Sequence, residues 1–509
     1  MSAYDGLCVC YGDIHSHSGI SYGHGTIEEA MANARERLDF CAVTGHAHWP
    51  DMPHGAPALQ HIIDFHREGF ARLRECWDHV KAVTQRENCD GEFVTFLSFE
   101  VHSLADGDYT VLYRDGDGEI LREPDVPAML DHIAELNNQG IAALAFPHHI
   151  GYMRGRRGLN WDTFRSDVSP VVEMVSMHGC SEASESPRPY LHAMGPSDYE
   201  GTVQYGLERG HTFGLIGSTD HHSSHPGSYG HGMCAAWAER RTRRAIWDAI
   251  VARRTYALTG DRIALGFSVN GSPMGSEIPK TPRRDIRLDV RGGYSIDCVD
   301  IVRNNRLLRR FSECDVRQKP HTDTVRTLVF LELGWSDRGV EVRWDVSLGV
   351  DSGRLLSIEP RFRGPHVVSP VDSEGTARSC YNSHSERVDD RRAHFITVTR
   401  GNPNSFTNAC QGVCIEVEMP ESGNIEAVIN GQTRSIPLER LLAGAVVGDT
   451  KGWHSPAFRF HRAPHAWEYD WQIEMTDEDT RESTGRDVYY VRVRQKNDQW
   501  AWSSPVFLD

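Results

Sequence analysis

The feature that most restricts how this chain can fold is a recurrent ending. Six short apolar runs in its first half each carry a histidine or a carboxylate residue at or next to their last position: LCVCYGDIH, FCAVTGH, FVTFLSFE, IAALAFPHH, VVEMVSMHG and FGLIGSTDHH. Runs of this length and composition read as strands. Helical stretches lie between them. Thr26-Ile27-Glu28-Glu29 has the T-x-x-E form of a capping box at the head of EEAMANARERL, and HIIDFHREGFARLRECWDHVKAV, VPAMLDHIAELNNQG and RRAIWDAIVARR are further helices. Alternation of strands and helices makes a parallel α/β layer or barrel, whose chemistry gathers at the C-terminal ends of the strands. Ligand-type side chains at six such ends would converge on one mouth.

Taken singly, these residues say little. His15-x-His17 sits at a strand end, where a period of two turns both imidazoles to the same side, and Asp220-x-His222 repeats the spacing with a carboxylate. Glu100 closes an apolar run, where a carboxylate is costly unless it is paired or coordinates a cation. One carboxylate can also bridge two ions roughly 3.5–4 Å apart. His46 and His148 end their runs in the same manner. Each alone is more often a hydrogen-bonded structural residue than a ligand; together they point to a metal centre. Mixed imidazole and carboxylate ligands suit Zn²⁺, Mn²⁺ or Fe²⁺ better than an all-oxygen Ca²⁺ site.

The order of these motifs resembles the polymerase-and-histidinol-phosphatase (PHP) superfamily: H-x-H after the first strand, histidine after the second, glutamate after the third, a later histidine and a final D-x-H. The resemblance is closer to its carbaryl-hydrolase-like metallohydrolase branch. It covers residues 8–265, and the ending YYVRVRQKNDQWAWSSPVFLD also looks like that branch. It implies an α/β fold, a distorted (β/α)7 barrel holding two or three divalent ions (Mn, Zn or Fe). Carried onto this chain, it implies that His15, His17, Glu100 and Asp220 hold one ion. Glu100 would be shared with a second, whose ligands include His148. His46 and His222 would hold a third, with His24 the candidate for its remaining position. The chain departs from the pattern at three places. It has Thr44-Gly45-His46 where relatives usually read T-D-H, and His24 near a position where they often have aspartate. It also has Gly107-Asp108 where they often carry glycine-histidine, which makes Asp108 the replacement ligand.

The expected chemistry is hydrolysis of a small-molecule ester by a metal-bound hydroxide. Superfamily precedent implies a phosphoester; the closer branch allows carbamate, carboxylic or sulfate esters. His149 and His178 are candidates to protonate the leaving group, with Glu182 a weaker one. Either His148 or His149 could be the ligand in their pair. Arg154, in the GYMRGRRG cluster with Arg156 and Arg157, would suit an anionic group on the substrate. His48, His102, His221 and His225 lie near these motifs in sequence. A competing signal is G-x-S-x-G at Gly19–Gly23, centred on Ser21. A hydrolase elbow needs its serine straight off the strand, whereas His15 and His17 hold that end and Ser21 comes later. A different class of reading is a metal-stabilised binding protein with structural ions, whose ligand sets would leave no open position.

With 509 residues the chain is too long for one ordinary core. Twenty of 27 histidines precede residue 232, and after Arg262 the runs become short, β-type and separated by turns, as in TLVFLELGW, GVEVRWDVSL and GVCIEVEM. The expected division is a hydrolase domain over 1–262 and an all-β, sandwich-like domain over 263–509, with a loop-rich insertion at 361–404. The β region could shape the pocket or mediate homo-oligomerisation. A net charge of −17 without a basic patch argues against nucleic acid and against an anionic membrane surface. Without a signal segment or an 18-residue apolar run, the expected location is the cytoplasm. The twelve cysteines follow neither CxxC nor zinc-ribbon spacing and read as reduced thiols.

Overall fold

The computed structural model describes residues 3–53, 55, 57–316, 324–365, 383–453, 455–479 and 485–509. In the first half the strands are β1 (Cys8–Asp13), β2 (Phe40–Cys41), β3 (Gly45–His48), β4 (Val94–Thr95), β5 (Leu97–Val101), β6 (Tyr109–Tyr113), β7 (Ala143–Pro147), β8 (Val171–Ser176), β9 (Gly179–Cys180), β10 (Gly214–Gly217), β11 (Met233–Ala238) and β12 (Thr255–Leu258). The helices are α1 (Ile27–Arg35), α2 (Gln60–Glu87), α3 (Val126–Asn138), α4 (Val203–Glu208) and α5 (Arg243–Val251). The capping box forms: Thr26 Oγ1 accepts the Glu29 N–H at 3.1 Å, and the Glu29 carboxylate accepts the Thr26 N–H at 2.7 Å.

The fold is mixed α/β, with many strands and few helices. The first-half strands hydrogen-bond in three sheets and not in one closed ring. One contains β11, β1, β2 and β4; a second runs β3-β5-β6-β7; the third runs β10-β8-β9. The break has a local cause. FCAVTGH serves two sheets: beyond β2 the Ala42 and Thr44 N–H groups still bond the Asp13 and Ser16 carbonyls, at 2.9 and 2.7 Å, alongside the chain that leaves β1. Beyond Thr44, β3 joins a different sheet, parallel to β5. The β5-β6-β7 stretch is antiparallel, which strand–helix alternation does not anticipate.

Packing does not divide at residue 262. β12 pairs with Trp500–Ser503, which pairs with Asp487–Gln495, so the sheet of β1 continues into the second half. One hydrophobic core extends from Tyr4 through Ile301 to Leu508. A second core lies within Val325–Ala463, between two five-stranded sheets. Its buried Trp344 donates Nε1–H to Thr399 at 2.7 Å. In the stretch expected to be loop-rich, His384–Arg387 and Arg392–Arg400 are strands, the latter with strictly alternating burial, and residues 366–382 lie outside the described residues. The eleven described cysteines are free thiols, in line with their spacing. No helix among the described residues is long and apolar enough to cross a membrane.

Candidate metal centre

The two short motifs lie side by side because their backbones are tied together. The His17 N–H bonds the His221 carbonyl and the Asp220 N–H bonds the His15 carbonyl, each at 2.8 Å. From that junction His15 Nε2 and His17 Nε2 face each other at 3.2 Å. Glu100 Oε2 lies 3.4 and 3.2 Å from them, and Asp220 Oδ1 lies 3.5 and 3.1 Å from them. All four residues are buried.

The tautomers of these imidazoles follow from their other nitrogens. His17 Nδ1 lies 2.5 Å from the Thr44 carbonyl, which can only accept, and His15 Nδ1 lies 2.7 Å from the Glu173 carboxylate. With Nδ1 protonated, each neutral ring turns an Nε2 lone pair inwards. Four acceptor atoms then meet with no donor among them, an arrangement relieved by a cation, whether a metal ion or a proton taken up on His15. The same logic holds for His222, whose Nδ1 lies 2.9 Å from the Asp220 carbonyl.

Further groups of ligand-type atoms surround this one. Glu100 Oε1 lies 2.9 Å from His102 Nε2 and 3.3 Å from His148 Nε2, and Glu100 Oε2 lies 3.6 Å from His46 Nε2. Atoms of His17, His46 and His222 lie within 4.8 Å of one another, as do those of Glu100, Asp108, His148 and His149. His148 Nε2 is buried without a hydrogen-bond partner although it faces the Glu100 carboxylate, as a lone pair awaiting a cation would be.

Charge follows geometry. Burial by itself would raise the Glu100 carboxyl, but the imidazoles of His46, His148 and His102 hold it well below the usual carboxylate range. Asp220 is held low in the same way by His15 and His178. Burial drives His46 and His222 well below their ordinary value and His148 and His149 down to about 4. These rings are neutral near pH 7 and offer lone pairs. Burial alone would lower His15 too, yet Asp220 and Glu173 hold it well above. In both cases the field at that point favours positive charge.

His15, His17, His46, Glu100, Asp108, His148, Asp220 and His222 are thus brought together, with His149 and His178 beside them. His149 Nε2 lies 3.3 Å from Asp108 Oδ2. His178 spans the Tyr152 hydroxyl, 2.5 Å from Nδ1, and Asp220 Oδ2, 2.9 Å from Nε2. Two candidates stand apart. His24 is half-buried, with its backbone N–H on the His222 carbonyl at 2.8 Å, and its ring belongs to none of the close groups among the described residues. Arg154 is exposed and pairs with Asp162 at 2.8 Å. The arginine that turns inwards is Arg157, against Asp108 and 3.9 Å from Glu100. Glu182 instead accepts the Tyr490 hydroxyl and Trp502 Nε1–H at 2.7 and 2.8 Å. Ser21 is buried with Oγ 2.9 Å from His46 Nδ1, beside a candidate ligand.

Glu173, absent from the candidates that the sequence offers, receives the His15 ring at 2.7 Å and the His149 N–H at 3.1 Å. A lone carboxylate inside VVEMVS was the available signal. His102, for which the sequence offers only nearness to the motifs, lies 2.9 Å from Glu100.

A family model described as a protein of unknown function (DUF3604) matches residues 228–274, which include β11, α5 and β12. Uncharacterised proteins of Chlamydia trachomatis and Chlamydia pneumoniae are each 30% identical to this chain over 171 residues, 30% of its length. The matches span 28% and 27% of those proteins, so the chain accounts for well under half of these curated relatives. A crystal structure from Bacteroides vulgatus, of a two-domain protein containing a predicted PHP-like metal-dependent phosphoesterase, aligns with 85% of this chain and 96% of its own. The identity is 12% and the TM-score 0.31.

Proposed function

We propose that this protein is a metal-dependent hydrolase of small anionic esters, phosphoesters foremost. In this reading the three first-half sheets are sectors of a distorted (β/α)7 barrel. Two or three divalent ions of Mn, Zn or Fe type are held by His15, His17, His46, Glu100, Asp108, His148, Asp220 and His222. The observation that carries the reading is the convergence of His15 Nε2, His17 Nε2, Glu100 Oε2 and Asp220 Oδ1 at 3.1–3.5 Å, four ligand-type atoms about one point. The chemistry that divalent ions would supply to these residues is Lewis-acid activation of water and of the ester.

The chain's own groups do the rest. Glu173 and the Thr44 carbonyl keep the protons of His15 and His17 on Nδ1, so that both Nε2 atoms stay free for the centre. His178, between the Tyr152 hydroxyl and Asp220, is the candidate to pass a proton to the leaving group. Arg157 balances Asp108 and adds positive charge near Glu100, where an anionic substrate would approach. His149, bound to Asp108, is a second proton carrier.

The test is a set of p-nitrophenyl phosphate, bis-phosphate, sulfate, acetate and carbamate substrates offered to the Mn- and Zn-loaded protein. Turnover of the phosphate esters, lost with EDTA and restored by metal, is the expected result. Turnover of another ester type alone would keep the hydrolase and replace its substrate. Stoichiometric ion content with no turnover of any substrate would refute the hydrolase and favour a binding protein with structural ions.

A further inference from the structure

We infer that the lobe built on the second core carries a binding cleft for an acidic saccharide. The cleft measures about 630 Å³, and its lining includes Trp335, Arg338, Asn404, Phe406, Thr407 and Arg459. That volume is in the range of small-ligand sites. It is formed by residues of 332–459, none of which belongs to the metal centre.

Three observations give the cleft its chemistry. The first is aromatic surface. Phe406 is 99% exposed at a loop tip and Trp335 is 41% exposed. Trp335 also holds a φ of 55°, a left-handed conformation that is strained for a bulky residue and that tends to persist where function requires it. The second is a loop pinned by its own amides. Asn404 Oδ1 accepts the N–H groups of Phe406 and Thr407 at 2.8 and 2.9 Å, and Asn402 Oδ1 accepts that of Ala409 at 2.7 Å. Phe406 is therefore held out in water by a built turn.

The third is charge. Glu332 and Arg459 are cross-strand partners, but Glu332 is already committed to His461 Nε2 at 2.9 Å and to Asn408 Nδ2 at 3.2 Å. Arg338 and Arg459 have no ion-paired or hydrogen-bonded side-chain partner among the described residues. In a chain of net charge −17, two uncommitted guanidinium groups in one cleft are a local reversal of sign.

A pyranose presents one flat C–H face to an aromatic ring and hydroxyls around its edge. Short amides and hydroxyls along the wall match those hydroxyls. An arginine fork matches a carboxylate or sulfate substituent. Acidic sugars combine all three features; a nucleotide shares the ring and charge but needs fewer short polar groups.

The test is calorimetric titration of the full chain with trigalacturonate, with maltotriose and AMP as controls. The variants are Phe406→Ala, Arg459→Ala and Trp335→Gly, the last suited to the positive φ. Trigalacturonate is expected to bind, at least tenfold more weakly to each variant, and maltotriose at least tenfold more weakly than trigalacturonate. Metal content and thermal midpoint should stay unchanged. No binding of trigalacturonate, equal binding of maltotriose, tighter binding of AMP, or variants indistinguishable from the parent would each overturn the inference.

Discussion

Glu173→Gln is the most discriminating perturbation of the proposed centre. The buried Glu173 carboxylate accepts from two donors, His15 Nδ1 at 2.7 Å and the His149 N–H at 3.1 Å. A glutamine has the same shape but only one acceptor end. Whichever way it is turned, one donor meets its NH₂ group. The His15 ring can relieve the clash only by moving its proton to Nε2, which aims that proton at Glu100 and Asp220. The exchange removes a charge-assisted hydrogen bond of about 1.5–3 kcal/mol. At 1.4 kcal/mol per tenfold, ion affinity should fall about 10–100-fold, the usual effect of losing an outer partner of a ligand histidine. Competition between the metal-free protein and a chelating dye measures this, with circular dichroism to establish that the fold persists. An unchanged ion affinity in a folded variant would refute the tautomer argument and reduce Glu173 to a structural acceptor.

Asp220→Asn should leave the fold intact but lower bound metal and cut turnover by on the order of a thousandfold or more, since this residue faces both His17 and His178; metal analysis beside activity checks it. Ser21→Ala should keep turnover within about tenfold, because Ser21 only supports His46. A loss of about a thousandfold at normal metal content would instead make Ser21 the nucleophile. In the main body, Asp487 binds Arg284, Arg303, Lys280 and Asn304 at 2.8–3.1 Å. Burial alone would raise its carboxyl, but Asn304, Lys280 and Arg303 hold it below the usual range. Its folded pKa lies below its unfolded one, so its contribution is full above about pH 3.9 and is lost as pH falls through the folded value. Asp487→Ala should therefore cost about 3 kcal/mol in urea unfolding at pH 7, leaving Arg284 buried and unpaired. The difference from the parent should shrink near pH 3, and no difference at pH 7 would refute the account.

Much of the centre was legible because polar atoms at the ends of apolar runs have few other reasons to be there. His15, His17, His46, Glu100, His148, Asp220 and His222 all carried that signal. The rest depended on backbone geometry that residue types do not encode. Three arginines within four positions look alike in sequence, and it is Arg157, with φ of 70°, that turns inwards while Arg154 faces water. His24 bonds the His222 carbonyl through its backbone N–H, a contact that its residue type does not announce. Glu173 was legible by the reasoning applied to Glu100, but it lies mid-strand, not at an end. The three-sheet arrangement was hidden because FCAVTGH reads as one strand, whereas its first residues pair with β1 and its last residues pair with β5. Long-range pairing such as Ala257 with Trp502 leaves no local trace at all.

That last pairing governs the order in which the molecule can mature. The strand that leads into His15 belongs to a sheet whose far side is made of strands within residues 487–508. Contacts of such sequence separation form late and slowly. A polypeptide released early, near residue 262, would leave β12 with a bare, sticky edge. Cation capture should then come after synthesis of the distal strands, and lesions around Trp502 should surface as poor metal retention, far from any imidazole.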